Sequence, residues 1–239
     1  NTRYAQGGIA VAMNDDDHLD FHVEDTLQAG VGLCDEAAVR VMVEEGVSRV
    51  TELIDWGAEF DKHEDQRLSF TQEGAHQKRR VVHRGDKTGK ETTNVLVNQL
   101  KHQDRIRVIE SCFVVDLLTK DGVCHGVLAM IDQVLHVIFA KATILSTGGL
   151  GRIYQCTSNP SIATGDGYAI AWRAGCQMMD MEFVQFHPTT LFLDGAPHFL
   201  ISEAVRGEGG TLINSRGEIF MAKYHELEEL APRDVVSRA

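Results

Sequence analysis

The chain has 239 residues, 43% of them hydrophobic, enough for one sizeable core and part of a second. With 23 Lys+Arg against 35 Asp+Glu, the formal net charge of -12 argues against a general nucleic-acid surface and means that any anionic ligand must be drawn in by a local basic pocket. No apolar run approaches the ~20 residues of a membrane-spanning helix, and five scattered cysteines (Cys34, Cys112, Cys124, Cys156, Cys176) without a CxxC pair read as reduced cytoplasmic thiols.

The chain starts at Asn1 with no initiator methionine and ends at Ala239 in what reads as a helix just begun, so it is expected to be an internal piece of a longer protein, and no signal peptide is visible in it. In Ala5-Gln6-Gly7-Gly8-Ile9-Ala10, two glycines before small apolar residues suit a tight turn or a backbone that approaches a ligand closely. Asn14-Asp15-Asp16-Asp17 is a polar loop that offers a helix N-cap. His18 and His22 have the spacing of helical metal ligands, but no third ligand follows, so a solvated helix start and no metal are expected. Asp35 is predicted to cap a long helix with Val39, Val43, Val47, Val50 and Ile54 on one face and Gly57 as its stop. Trp56 and Phe60 are expected to pack beneath its end.

Between Phe70 and Asp86 the basic groups Lys78, Arg79, Arg80 and Arg84 gather in an otherwise acidic chain. A solvated loop is the default for such a run; the alternative is that Glu73, a lone carboxylate ahead of it, addresses the ammonium of a zwitterion. Those residues alone leave the two readings level. Thr88-Gly89-Lys90-Glu91 fits a capping box for a helix to Gln99 carrying Val95, Leu96 and Leu100. From Ile106 the period becomes that of strands: Arg107–Glu110, Cys112–Leu118, then Val123–Ile131 after Asp121-Gly122, and Val134–Phe139 after Asp132-Gln133. This β-meander is predicted to be followed by a return strand, Ala142–Thr147, ending on Gly148-Gly149. Doubly wound sheets place such an end at their carboxyl edge, where cofactors sit. Gly165-Asp166-Gly167 then opens a helix stopped at Gly175, whose N-terminus could receive a phosphate or carry a sugar-contacting Asp.

Gln185-Phe186-His187-Pro188-Thr189 precedes Ser202-Glu203-Ala204-Val205-Arg206-Gly207-Glu208-Gly209 and Ala231-Pro232-Arg233-Asp234. Two arginines, a histidine and a glutamate among apolar and glycine positions suit a dry pocket for a small dianion. Arg233 follows Pro232 at a helix start, where the dipole disfavours a cation; a local pair with Asp234 is the plain alternative.

Taken in order, Ala5 to Ala10, Ala142 to Gly149, Gly165-Asp166-Gly167, Gln185 to Thr189, Glu203 to Gly209 and Arg233-Asp234 resemble the succinate dehydrogenase and fumarate reductase flavoprotein family over essentially the whole chain. Glu73-Gly74-Ala75-His76 with Arg79-Arg80, His83, Asp86, Thr88-Gly89 and Glu91 resembles the branch of that family that oxidises L-aspartate. The resemblance implies an α/β fold. A Rossmann-like FAD-binding domain would span residues 1–180, lacking its first βαβ unit and carrying the β-meander as an insertion, and an α+β capping domain would begin at 181–239. It implies oxidation of L-aspartate to iminoaspartate with dioxygen or fumarate as acceptor, the first step of NAD synthesis, with quinolinate synthase as the next pathway enzyme.

By the same resemblance, Asn1, Thr2, Ala5, Gln6, Gly7, Gly8, Val115, Thr147, Gly148, Gly149 and Asp166 would bind FAD. Asn1 stands where membrane-bound succinate dehydrogenases attach flavin through a histidine, so the FAD is expected to be non-covalent. Glu73 would take the ammonium, His187 and Ser202 would help bind substrate, and Glu203 and Arg206 would relay protons to Arg233 as acid/base. Because a free guanidinium has a pKa above about 12, Arg233 is expected to share its proton with Glu203 through Arg206 in a closed, dry site. Two readings compete: a succinate dehydrogenase or fumarate reductase flavoprotein subunit docked on an iron–sulfur partner, and a non-catalytic nucleotide-binding module. The family's Gly-rich phosphate fingerprint and the rest of its substrate clamp are expected outside Asn1–Ala239, so the isolated chain is expected to show at most weak flavin absorbance.

Overall fold

The meander is present in the computed structural model, which describes residues 1–196 and 198–239, as β4 (Cys112–Lys120), β5 (Val123–Ile131) and β6 (Val134–Phe139) in that antiparallel order. Both hairpins close on two left-handed residues, Asp121 and Gly122 in the first and Asp132 and Gln133 in the second. That pair of conformations matches the twist of the flanking strands and sets the register, with Lys120 opposite Val123 and Ile131 opposite Val134. A register shift between Val114 and Asp116 leaves Val115 at a bulge in β4.

These strands belong to one of two compact units, made of Asn1, residues 104–184 and residues 193–198. It also holds α4 (Asp166–Arg173), which starts from Gly165 at φ 78°. Arg173 of α4 donates to the Asp116 carboxylate and the Val115 carbonyl, both at 3.0 Å, and so fixes the helix to β4. The expected strands Arg107–Glu110 and Ala142–Thr147 are not formed. The second has no ladder partner among the described residues, and its Ile144 is 89% exposed. An apolar run becomes a strand only beside a neighbour that takes its backbone hydrogen bonds, and both sheets here are antiparallel and built from other segments.

The second unit comprises residues 2–103, 185–192 and 199–239. Its small sheet has the order β1 (Ile9–Ala10), β3 (Val81–Val82), β2 (Phe70–Thr71), all antiparallel, so β3 is central and both its valines are buried. Val82 packs with Val11, Val50, Ala58, Phe60 and Val95. Each such buried aliphatic side chain contributes about 1.5–3 kcal/mol relative to an exposed one. Gly8 lets the chain close on this centre, since a Cβ there would lie 2.3 Å from both Val81 Cγ1 and the Val82 carbonyl oxygen.

Asp35 caps α2 (Glu36–Asp55), accepting from the amides of Ala37 and Ala38, and Gly57 follows at φ 99°. Val39 and Val43 pack on Val23 of α1 (Leu19–Ala29), and Val50 enters the β3 core. Phe60 is buried as expected, but Trp56 is 43% exposed, because α2 ends on it as the C-cap and the turn carries its ring outward. At α1 the cap is His18 rather than the acidic loop, and His22, expected in solvent, is buried. α3 (Thr88–Lys101) has no capping box: its N-cap is Lys87, Thr88 accepts from the Arg84 amide, and Glu91 accepts from the Glu59 amide. Long-range partners have taken both groups that a local box would use.

After residue 199 the chain forms α5 (Glu203–Gly207) and α6 (Arg233–Arg238), the latter packed through Val236 on Met221 and Ala231. Among the described residues no helix is long and apolar enough to cross a membrane.

Candidate functional site

Three segments of the second unit meet around one carboxylate. Glu203, the first residue of α5, has its side chain 14% exposed and accepts a 2.5 Å hydrogen bond from Arg233 Nε at the start of α6. Arg206 lies one turn along α5, its Nη2 3.8 Å from the same Glu203 oxygen. The other Glu203 oxygen accepts from the Gly74 amide at 3.3 Å, which brings the 72–80 loop against α5. The expectation placed Arg206 between Glu203 and Arg233; instead Glu203 stands between the two arginines. The plain pairing of Arg233 with Asp234 is also replaced, since Asp234 pairs with Arg238 at 2.6 Å.

Arg206 is buried. Its Nη1 donates to the Glu229 carbonyl at 2.6 Å, while Nε and Nη2 have no hydrogen-bond partner among the described residues. Buried donors of a charged group are seldom left unmatched, so these two suit an incoming carboxylate. Burial lowers the Arg206 pKa from its usual value, and the Arg233 charge adds to this against the opposing pull of Glu203. For Glu203, burial opposes ionisation, but the Arg233 hydrogen bond and the charges of Arg233 and Arg206 outweigh it and hold the carboxyl below its usual range. Glu203 is therefore a carboxylate at neutral pH, bonded to a guanidinium.

Glu73 behaves in the opposite way. It is half-buried in the loop between β2 and β3, and burial followed by the Glu203 charge raises its pKa, against smaller pulls from Arg233 and the Gly8 N–H. His187 accepts from the Thr189 amide at Nδ1, which puts the proton of the neutral ring on Nε2. Burial and the Arg233 charge lower its pKa and favour that neutral form. Ser202 directly precedes α5, and its carbonyl accepts from the Val205 amide. Glu73, His187, Glu203, Arg206 and Arg233 are thus electrostatically coupled within one unit.

The residues expected along a cofactor fall in both units. In the second, the carbonyl of Ala5 accepts from Gly89 at the start of α3, and the Thr2 carbonyl oxygen would lie 1.9 Å from a Cβ on Gly89. Gln6 leads into Gly7, whose Cα faces Glu73, with a Cβ there 3.5 Å from Glu73 Oε1. In the first unit, a Cβ on Gly167 would lie 1.7 Å from Thr147 Oγ1, so that glycine lets α4 start directly against Thr147-Gly148-Gly149. Gly148, at φ 76°, lies beside the Asn1 amide, and Gly149 faces open space. Asp166 sits at this helix start, its carboxylate held by the Thr164 hydroxyl at 2.9 Å. Glycine backbone, a helix N-terminus and a fixed carboxylate suit a nucleotide-bearing cofactor. Val115 lies at the other end of α4 from Asp166, with its carbonyl taken by Arg173.

Some of the site escaped sequence reasoning. Gln185 accepts from Arg233 Nη1 at 3.3 Å, and Glu229, buried, holds Arg206 with its carbonyl and the Leu212 amide with its side chain. Gln185 could have been found from its place in the Gln-Phe-His-Pro-Thr motif. Glu229 lies in an acidic run that carries no such signal. Most of the basic loop is structural: Arg80 is fully buried between Asp17 and Asp25, and its charge does not face the site.

A family model described as "FAD binding domain" matches residues 1–239. L-aspartate oxidase of Nostoc sp. is 46% identical over 238 residues, which cover 99% of this chain and 41% of that relative. L-aspartate oxidase 1 of Ralstonia nicotianae is 48% identical, covering 99% of this chain and 46% of the relative. A chloroplastic L-aspartate oxidase of Arabidopsis thaliana is 46% identical, covering 100% and 39%. Among solved structures, a mutant E. coli quinol fumarate reductase superimposes with a TM-score of 0.91 at 32% identity, over 99% of this chain and 42% of that one. The open conformation of a flavocytochrome c3 fumarate reductase gives 0.79 at 27% identity, over 100% and 43%. The chain spans less than half the length of these relatives.

Proposed function

The chain belongs to the FAD-binding domain family, with FAD as its cofactor, and from that premise we propose that the full-length protein is an L-aspartate oxidase. It would convert L-aspartate to iminoaspartate, removing two electrons and two protons and passing the electrons to dioxygen or fumarate. That is the first step of NAD synthesis, and quinolinate synthase would take the product. FAD, when bound, supplies the two-electron acceptor for the substrate Cα–H bond. Asn1, Thr2, Ala5, Gln6, Gly7, Gly8, Thr147, Gly148, Gly149 and Asp166 are the residues assigned to hold it. Val115 is assigned to the same cofactor. The cofactor would be non-covalent, as Asn1 offers no nucleophile for attachment. In this reading residues 1–180 belong to the FAD-binding domain and 181–239 to the start of the capping domain, a division of the sequence that the compact units, which group residues 2–103 with 185–192 and 199–239, do not follow. We place the protein in the cytoplasm.

The observation that carries the proposal is Glu73, a half-buried carboxyl beside another carboxylate. Glu73 and Glu203 together balance Arg206 and Arg233, so these four groups have no net charge. A dicarboxylate without an amine adds two negative charges beside two glutamates. L-aspartate adds the same two carboxylates and an ammonium that pairs with Glu73 and relieves its repulsion from Glu203. Arg206, with its two unmatched donors, and His187, as a neutral Nε2–H donor, are suited to hold the carboxylates. Arg233 exchanges the substrate proton with Glu203 through their short hydrogen bond. The alternative, a fumarate reductase or succinate dehydrogenase flavoprotein subunit, draws on the structural likeness to fumarate reductases and gives Glu73 no partner.

The test is steady-state turnover of the full-length protein. L-aspartate should support hydrogen peroxide formation with dioxygen and succinate formation with fumarate. An enzyme that ignores L-aspartate while oxidising succinate would sink the proposal in favour of the alternative.

A further inference from the structure

The loop that carries Glu73 is held from behind by a carboxylate remote in sequence from the site. Residues 72–80 join β2 to β3 and are held from both sides, their end by Asn14 Nδ2 donating to the Arg79 carbonyl, the Lys78–Asp16 pair and the Val11 amide donating to the Arg80 carbonyl. On the site side, the Gly74 amide reaches Glu203. Within the loop, the His76 amide donates to the Glu73 carbonyl, and Gln72 Nε2 donates to the His76 carbonyl. On the far side the contacts converge on Asp25 of α1, which is 3% exposed. Asp25 accepts from the Gln77 amide at 2.9 Å, from Gln77 Nε2 at 2.7 Å and from Arg80 Nη1 at 2.7 Å. Arg80 is itself fully buried and bidentate to Asp17 at 2.9 Å.

We infer that Asp25 is a positioning residue for substrate recognition: through Gln77 and Arg80 it fixes the loop so that Glu73 meets the substrate ammonium at a set place. This rests on the reading of Glu73 given above. A buried ion pair by itself is weak evidence for a role beyond folding, because its desolvation cost offsets most of its attraction. Here, however, two of the three bonds to Asp25 go to the main chain and side chain of Gln77, four residues from Glu73. The Gly74 and Gly8 N–H bonds hold the site end of the loop, and Gln77 anchors its other end to Asp25. Because Asp25 bonds Gln77 and Arg80 and, among the described residues, makes no hydrogen bond or ion pair with the Arg206–Glu203–Arg233 group, its loss should affect recognition of the amine and leave the chemical step intact.

The test uses the full-length FAD-loaded protein with Asp25→Asn, Gln77→Ala and Glu73→Gln. Asp25→Asn should raise KM for L-aspartate roughly tenfold, with kcat and the inhibition constant of succinate little changed. Gln77→Ala, which keeps the buried ion pair and serves if Asp25→Asn folds poorly, should do the same to a smaller degree. Adding Asp25→Asn to Glu73→Gln should cost little more than Glu73→Gln alone, since both act through one contact. Hydrogen exchange of the 72–77 amides should quicken in both loop variants. Equal weakening of L-aspartate and succinate, or unchanged KM with unchanged exchange, would overturn the inference. If Glu73→Gln itself leaves L-aspartate affinity untouched, the reading of Glu73 fails, and the exchange rates alone then decide whether Asp25 holds the loop.

Discussion

Arg233→Ala in the full-length protein is expected to lower L-aspartate-dependent flavin reduction about a thousandfold or more while FAD stays bound. The guanidinium does two things at once. It donates to Glu203 at 2.5 Å and to Gln185 at 3.3 Å, which fixes its plane, and it holds the Glu203 carboxyl in its ionised form. Removing it takes away the proposed proton carrier and leaves a largely buried carboxylate with only Arg206, 3.8 Å away, as a charged partner and the Gly74 amide as a donor. Arg233→Lys keeps a charge but not the fork that engages Glu203 and Gln185 together, so it should recover only a small part of the rate. The readout is single-turnover bleaching of the flavin, with retained flavin absorbance showing that the fold is intact. Near-normal reduction in Arg233→Ala would refute the acid/base assignment.

Glu73→Gln is expected to raise KM for L-aspartate about ten- to a hundredfold and to leave succinate binding unchanged or slightly tighter. Removing the charge abolishes the proposed ammonium partner and also the repulsion from Glu203. The pH dependence follows from the same group. Burial and Glu203 raise the Glu73 pKa in the free protein, so the carboxylate that binds ammonium is present above that raised value and is lost as pH falls through it. The acid limb of kcat/KM for L-aspartate should therefore lie above the ordinary glutamate range in the wild type and move to lower pH in Glu73→Gln. An acid limb that stays in place in the variant would assign it to another group.

Local signals in the sequence were sufficient where structure is local. Asp35 and Gly57 mark the ends of α2, and Asp121-Gly122 and Asp132-Gln133 mark the hairpins of the meander. What failed was set by distant partners. The basic run from Lys78 to Arg84 reads by default as a solvated loop, yet Arg80 is fully buried and committed to Asp17 and Asp25, more than fifty residues earlier. Thr88 and Glu91 have the spacing of a capping box, yet serve Arg84 and Glu59. Ala142–Thr147 has the composition of a strand and no neighbour to pair with among the described residues. His22 reads as solvated from its spacing, but the His76 ring of the 72–80 loop lies 5.9 Å from it, a neighbour that a four-residue spacing does not show.

The candidate site divides in the same way. The residue types at Glu73, His187, Glu203, Arg206 and Arg233 could be picked out by their motifs, but their order in space could not. That order depends on α5 and α6 meeting around Glu203, with Arg206 tied to the Glu229 carbonyl and α6 packed through Val236 on Met221 and Ala231. Sequence separation hides each of these contacts, and the position of Glu203 between the two arginines follows from them.

The central claim is that the site oxidises an amine held by Glu73 rather than a plain dicarboxylate. Its most direct test is anaerobic rapid mixing of the full-length FAD-loaded protein with L-aspartate or with succinate, following the flavin absorbance. Rapid, complete bleaching by L-aspartate and little or none by succinate is the predicted result. Bleaching by succinate at an equal or greater rate would contradict it.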